Sequence, residues 1–281
     1  MSDSLSQVAF VTGASRGLGK ACAISLAEAG FDVAVSARTL VDGTATLDDG
    51  ITPVPGGLDT TVAAIEAAGR QGFAVPMDLL DRGSVTAAAD AVTDRFGRID
   101  VLVNNAIYQA SGTMTHVANL GDDELTPLFE GNVFAQLALI RHLLPTFIEQ
   151  GGAQILNMIS ATARVDPPAK AGEGGWGLGY AMTKAAFERV APLLMVEHAE
   201  HGVVAYSIDP GHVVTERQIA RNTAKDYSKN MRSATPEVIG AAVAWLVTDP
   251  EAPANYGGKI VYAQTETKRR ELLPGWPPKD A

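Results

Sequence analysis

The chain reads as an α/β protein, a single doubly wound domain whose seven-stranded parallel sheet is flanked by helices on both faces. Short β-branched runs alternate with longer segments of helical period along most of its 281 residues, and that order calls for a parallel sheet with crossover helices. With 46% hydrophobic and 19% charged residues, a chain of this length buries a sizeable core. No break in composition separates a second domain, so residues 1–263 read as one unit.

The strands are expected at Val8 to Thr12, Asp32 to Ser36, Phe73 to Pro76, Val101 to Asn104, Gln154 to Ile159, Val203 to Ile208 and Lys259 to Tyr262. Between them, Gly17 to Ala29, Leu58 to Ala68, Ser84 to Phe96, Val133 to Glu149, Gly179 to Glu200 and Pro236 to Thr248 have helical periodicity. In the fourth helix Val133, Leu137, Ile140, Leu144 and Ile148 recur at helical spacing and mark a stripe for burial, in the core or at a subunit interface. Three irregular stretches fall where a strand hands over to a helix, the edge at which open α/β sheets hold ligands. Residues 39–57 form an acidic, turn-rich insertion. Residues 161–177 form a second insertion, rich in glycine with Pro167 and Pro168, and 212–234 read as a polar lid over a substrate. From Gln264 to the end (264–281) a basic, proline-containing segment reads as an extended tail.

Charge and composition exclude several classes. The 22 Lys and Arg against 32 Asp and Glu give a net charge of −10, which is unsuited to a phosphate-neutralising surface, so no nucleic-acid partner is expected. No apolar run approaches the roughly 18 residues of a membrane helix, and Met1 to Gln7 lacks the blocks of a signal peptide. No membrane partner is expected, and the compartment expected is cytoplasmic. The single cysteine, Cys22, forms no internal disulfide, and no Cys/His grouping has structural-zinc spacing, so no metal is expected.

Val8 to Gly19 joins a buried strand, a glycine-rich turn and a helix start, the context a dinucleotide fingerprint requires. Gly13 permits the turn, Gly17 lets backbone approach a pyrophosphate, and Gly19 lets the helix pack closely while its free N–H groups face the anion. Ser15 and Arg16 fall beside the phosphates. The second strand ends Ser36-Ala37-Arg38, where an NAD site usually carries an acidic residue. An uncharged Ala37 followed by Arg38, with Arg16 opposite, suits a 2′-phosphate and points to NADP(H), with NAD(H) as the alternative.

Together with Asp78, Asn104-Asn-Ala106, Asn132, Ser160, Tyr180-Ala-Met-Thr-Lys184 and Pro210-Gly-His-Val-Val-Thr215, these residues resemble the short-chain dehydrogenase/reductase family, of the single-domain Rossmann type with a Tyr-x-x-x-Lys active site. The resemblance implies a catalytic tetrad of Asn132, Ser160, Tyr180 and Lys184. It implies that Asp78 meets the adenine, Asn105 the adenosine side and Thr215 the nicotinamide carboxamide. Leu18, Ala106, Pro210, Gly211 and Val213 then line the cofactor, Lys184 holds the nicotinamide ribose, and Asn132 holds a relay water. A homotetramer or dimer follows by the same resemblance. The chemistry supports these roles independently, because a tyrosine acts near neutrality only beside a cation that favours its phenolate, and Lys184 stands four residues on along the helix. Ser160 is placed to donate to the substrate oxygen.

Two features depart from the family pattern. Ile107 and Tyr108 follow Asn-Asn-Ala where a glycine is usual, and Ser160 and Tyr180 lie 20 positions apart. The added segment is expected to loop outward and wall the substrate cleft with Trp176 and Pro167. The activity expected is an NADP(H)-dependent ketoreductase or alcohol dehydrogenase acting on a small carbonyl or alcohol. The alternatives are an NAD-linked alcohol dehydrogenase and a non-catalytic dinucleotide-binding regulator.

Overall fold

The computed structural model describes residues 6–47, 49–221 and 233–277. All seven expected strands form: β1 (Val8–Thr12), β2 (Asp32–Ala37), β3 (Gly72–Pro76), β4 (Val101–Asn104), β5 (Ala153–Met158), β6 (Val203–Asp209) and β7 (Ile260–Tyr262). They make one sheet in the order β3-β2-β1-β4-β5-β6-β7, and every neighbouring pair is parallel. β1 is buried at all five positions, as a strand covered on both faces must be. Ala9 and Val11 join the apolar layer on one face, while Phe10 joins Leu102 and Ile155 on the other. The chain leaves β3 on one side and starts β4 on the other side of β1, so a crevice opens at the carboxyl ends of β1 and β4.

The helices are α1 (Gly17–Glu28), α2 (Leu58–Ala67), α3 (Arg82–Phe96), α4 (Asp122–Phe129), α5 (Ala135–Glu149), α6 (Leu178–Glu188), α7 (Val190–His198), α8 (Glu216–Ala220), α9 (Pro236–Thr248), α10 (Ala252–Tyr256) and α11 (Ala263–Arg269). Among the described residues no helix is long and apolar enough to cross a membrane. α3 starts two residues before the expected position because the Asp81 carboxylate accepts from the N–H groups of Gly83 and Ser84, an N-cap that satisfies two otherwise unpaired donors.

Three expectations about helices change. The helix expected from Val133 begins earlier, as α4 followed by a π-helical turn over Glu130–Phe134. Its core face is Leu139, Ile140, Leu143 and Phe147, so the Leu137, Leu144 and Ile148 positions lie at the rim, where Leu144 and Ile148 flank a surface groove with Pro145. The helix expected over Gly179 to Glu200 divides at Arg189 into α6 and α7. Pro192 has no N–H for the Glu188 carbonyl, which accepts from the Ser207 hydroxyl instead at 3.3 Å.

The extended reading of residues from Gln264 onward is also replaced. α11 occupies Ala263–Arg269, and the buried Thr267 hydroxyl donates to the Val238 carbonyl at 2.8 Å. Arg270 lies over the Trp245 ring, 4.0 Å from its centroid, and Leu273 and Trp276 pack against the core. Two basic residues of this segment are held by Glu266, which accepts from both Arg269 and Arg270. Residues 278–281 lie outside the described part. Ending the chain at Tyr262 is expected to lower Tm by on the order of 10 °C, because losing this packing costs several kcal/mol at about 2–4 °C each. An unchanged thermal midpoint would show that the segment contributes nothing to the core.

Candidate active site

The crevice beside β1 and β4 deepens into a cleft of about 910 Å³. Every site residue expected from the sequence lines it except Gly19 and Asn132, which stand behind the wall. The glycine turn is shaped by backbone contact. Gly13 and Gly17 have φ of +68° and +55°, a region that side chains with a Cβ rarely adopt. A Cβ on Gly19 would stand 2.3 Å from the Gly13 carbonyl oxygen, and one on Gly13 would stand 2.7 Å from the Ala106 Cα. The turn therefore packs directly on the chain leaving β4. The Thr12 hydroxyl accepts from the N–H groups of Asn105 and Ala106, both at 3.0 Å, and the Asn105 amide donates to the carbonyls of Thr12 and Gly13. Asn105 thus lines the cleft chiefly as a brace for the glycine turn.

Charges gather at the mouth of this turn. Arg16 donates to the carbonyls of Pro55 and Gly56 at 2.9 and 2.7 Å, so the 39–57 insertion folds back to hold it. Asp42 secures the fold-back, accepting from the Gly56 N–H at 2.6 Å. Arg38 is exposed at the edge of the cleft. Burial lowers the Arg16 pKa, with Arg217 and Arg38 adding to the effect and Glu216 and Asp42 opposing it. Glu216, at the start of α8, was not anticipated. Its carboxylate accepts from the Gly17 N–H at 3.0 Å, the kind of donor a helix start offers to an anion.

The opposite end of the cleft carries the hydroxyl and ammonium groups. Tyr180 and Lys184 lie on α6, four residues apart. Lys184 is 4% exposed, and its Nζ donates to the Met158 carbonyl at 2.7 Å and stands 6.0 Å from the Tyr180 ring centroid. Burial lowers its pKa to about 8, against the opposing influence of Asp209. Burial raises the Tyr180 pKa and Asp209 adds to this, while the hydrogen bond with Ser160 lowers it. His212 lines the cleft and bonds through Nδ1 to Ser233 at 2.8 Å; burial lowers its pKa.

A family model for short chain dehydrogenase matches residues 7–50 and 51–226. The chain belongs to the short-chain dehydrogenase/reductase family. It is 31% identical over 275 residues to short chain dehydrogenase mpl6 of Monascus purpureus, covering 95% of this chain and 85% of that one. It is 33% identical over 261 residues to the short-chain reductase protein NovJ of Streptomyces niveus, covering 87% and 88%. The crystal structure of a short-chain type dehydrogenase/reductase from Mycobacterium marinum shares the fold, with a TM-score of 0.73 at 22% identity over 92% of this chain and 94% of the other. The protein is thus a short-chain oxidoreductase of alcohol and carbonyl groups, of a family that uses NAD(P)(H).

This short-chain dehydrogenase accommodates its unusual Ile107-Tyr108 through the π-helical turn. A Cβ on Gly131 would stand 2.5 Å from the Tyr108 Cβ, so the absent side chain there makes room for the tyrosine. Asn132, 1% exposed, grips the same residue: its Oδ1 accepts from the Tyr108 N–H at 2.7 Å and its Nδ2 donates to the Tyr108 carbonyl at 3.1 Å. Of the residues expected in the wall from the 161–177 insertion, Trp176 lines the cleft, together with Val165, whereas Pro167 does not. Among the described residues no group of His, Cys, Asp or Glu side chains is arranged to hold a metal.

Because Glu216 places negative charge where the glycine turn presents its N–H groups, Glu216→Gln is expected to tighten NAD(P)(H) binding by about two- to fivefold, the effect of roughly 0.5–1 kcal/mol at a helix start. Fluorescence titration measures it. Weaker binding in the variant would mean that Glu216 holds the cleft in its receptive form.

Proposed function

We propose that the enzyme is an NADPH-dependent carbonyl reductase in which Tyr180 donates the proton. The observation that carries this reading is the juxtaposition, in one cleft, of a glycine turn that only bare backbone fits with a Ser160, Tyr180 and Lys184 group at the other end. The cleft suits a dinucleotide: Gly13, Gly17 and Gly19 leave no Cβ in its path, and the Gly17 N–H faces the position of an anion. Gly13, Ser15, Gly17 and Leu18 would hold its phosphates, Asp78 and Ala106 its adenosine half, and Pro210, Gly211, Val213 and Thr215 its nicotinamide end. When bound, NADPH supplies the hydride.

Arg16 and Arg38 support the preference for a 2′-phosphate. The Nε and Nη2 of Arg16 are already on the Pro55 and Gly56 carbonyls, so less freedom is lost when the remaining donors of its guanidinium meet a phosphate. The Ser160 hydroxyl orients the substrate oxygen and hydrogen-bonds to Tyr180. Tyr180 protonates that oxygen, and the Lys184 ammonium stabilises the phenolate left behind. Asn132 has both ends of its amide on Tyr108, so its part is to hold the substrate wall rather than to carry a relay water on its side chain. The name of NovJ, a short-chain reductase, agrees with the reducing direction. The enzyme acts in the cytoplasm as a homo-oligomer, a dimer or tetramer, for which the half-buried Leu144 and Ile148 of α5 and the exposed Leu193 and Val196 of α7 are suited contacts.

The reading is tested by titrating wild type and Tyr180→Phe with NADPH and NADH and assaying a panel of ketones and aldehydes. Wild type should bind NADPH more tightly than NADH and reduce members of the panel. The variant should bind NADPH within about twofold of wild type and lose turnover by at least about 10³-fold, the scale of a lost general acid. Tight binding without turnover in wild type would favour the regulator, and tighter NADH binding would remove the role given to Arg16 and Arg38.

A second expectation concerns pH. With its pKa lowered to about 8, Lys184 carries its charge below that pH and loses it above, so support for the developing phenolate declines as pH rises. The kcat/KM for carbonyl reduction is expected to be level near neutrality and to fall above about pH 8, as a profile at saturating NADPH would show. A rate that rises through pH 9 would contradict a cationic Lys184.

A further inference from the structure

Tyr180, Lys184 and Glu188 follow one another at intervals of four along α6 and so share one face of the helix. Arg164, four residues beyond Ser160, reaches to the far end of that face. Its guanidinium pairs with the Glu188 carboxylate and, through Nη2, with Asp209 Oδ2 at 2.7 Å. Asp209 ends β6 and is 3% exposed. Its other oxygen accepts from the Gly211 N–H at 3.0 Å, and it lines the same cleft as Tyr180 and Lys184. One guanidinium therefore joins the loop that carries Ser160, the helix that carries Tyr180 and Lys184, and the Pro210-Gly211 turn.

A buried carboxylate in this position opposes the chemistry unless it is balanced, because its charge disfavours a phenolate on Tyr180. We propose that Arg164 is a positioning residue of the active site: by pairing with Asp209 it screens a buried negative charge from Tyr180 and Lys184 while holding loop, helix and turn together. The effect on the Tyr180 proton rests on the reductase reading given above. Both groups respond to Asp209, which pushes the Tyr180 and Lys184 pKa values up.

The other groups near Lys184 bring no competing charge. β5 offers it the Met158 carbonyl, and its own helix carries Tyr180 and Glu188, the latter paired with Arg164. On the elements packed against α6, Glu124 of α4 bonds to Thr115 and Glu130 of the π-helical turn pairs with Arg82. On α7, His198 lies 3.8 Å from Glu197. Beyond β6, His212 bonds to Ser233. Asp209 is the charge that Lys184 feels.

The test follows Lys184 directly by NMR titration of lysine labelled with carbon-13 at Cε, its resonance assigned by comparison with Lys184→Met. Arg164→Met is expected to raise the Lys184 midpoint by about one pH unit, the scale of an uncompensated neighbouring charge. Arg164→Met/Asp209→Asn should bring it most of the way back, the remainder being the share of Glu188, which also loses its partner. Arg164→Lys, which keeps the charge but not the fork, should fall between. Asp209→Asn alone should lower the midpoint, which supplies the answer should Arg164→Met fold poorly. In parallel, Arg164→Met should reduce kcat for carbonyl reduction about tenfold with NADPH affinity within twofold of wild type, and the double variant should recover most of it. A Lys184 midpoint that stays in place in Arg164→Met, or in Asp209→Asn, overturns the proposal and leaves Arg164 a simple tether. Absence of carbonyl turnover in wild type would count against the reductase reading, while the Lys184 titration would still decide the role of Arg164.

Discussion

The structure depends on the close approach of two backbones, where the turn after β1 packs on the chain leaving β4. A Cβ on Gly13 would meet Ala106 at 2.7 Å, and the Thr12 hydroxyl and Asn105 amide bind the two segments together. Such an approach is open only to glycine and is held only by side chains that satisfy the backbone groups it removes from water. Because β1 and β4 are neighbours in the sheet, this junction also sets where the cleft opens. The glycine turn, the Ile107-Tyr108 wall and the start of α1 all take their positions from it.

The second constraint is electrostatic. Lys184 is buried to 4% exposure, a costly place for an ammonium unless nearby acceptors and charges favour it. Its bond to the Met158 carbonyl and the influence of Asp209 perform that service, and Arg164 in turn pairs with Asp209. Charge is balanced in a chain from the protein surface to the hydroxyl of Tyr180. The same logic applies at the other end of the cleft, where Arg16 lies among Arg38, Arg217, Glu216 and Asp42, and where Glu216 takes the Gly17 N–H.

Much of this was legible in the sequence, for physical reasons. Strands buried on both faces appear as runs such as Val8 to Thr12, and the glycine turn announces itself by strand, spacing and helix start. Tyr180 and Lys184 are readable because the helix period alone brings them to one face. What the sequence concealed depends on contacts between distant segments. Asn132 meets Tyr108 across 24 positions, Arg164 meets Asp209 across 45 and Glu216 meets Gly17 across 199, and no local periodicity marks such pairs. The packing of α11 belongs to the same class, since Arg269 and Arg270 resemble a free basic tail until Glu266, Tyr256 and Trp245 receive them. The break at Arg189 is different, for Pro192 stood in the sequence as its signal.

In the proposed reaction, Tyr180 and Lys184 turn a bound reduced dinucleotide to carbonyl reduction. The most direct measurement is a single-turnover experiment in which enzyme saturated with NADPH is mixed with each carbonyl of a panel, following nicotinamide absorbance and product alcohol together. Loss of the reduced nicotinamide with one equivalent of alcohol formed is expected for at least one class of carbonyl. Bound NADPH that stays reduced against every carbonyl offered would contradict it.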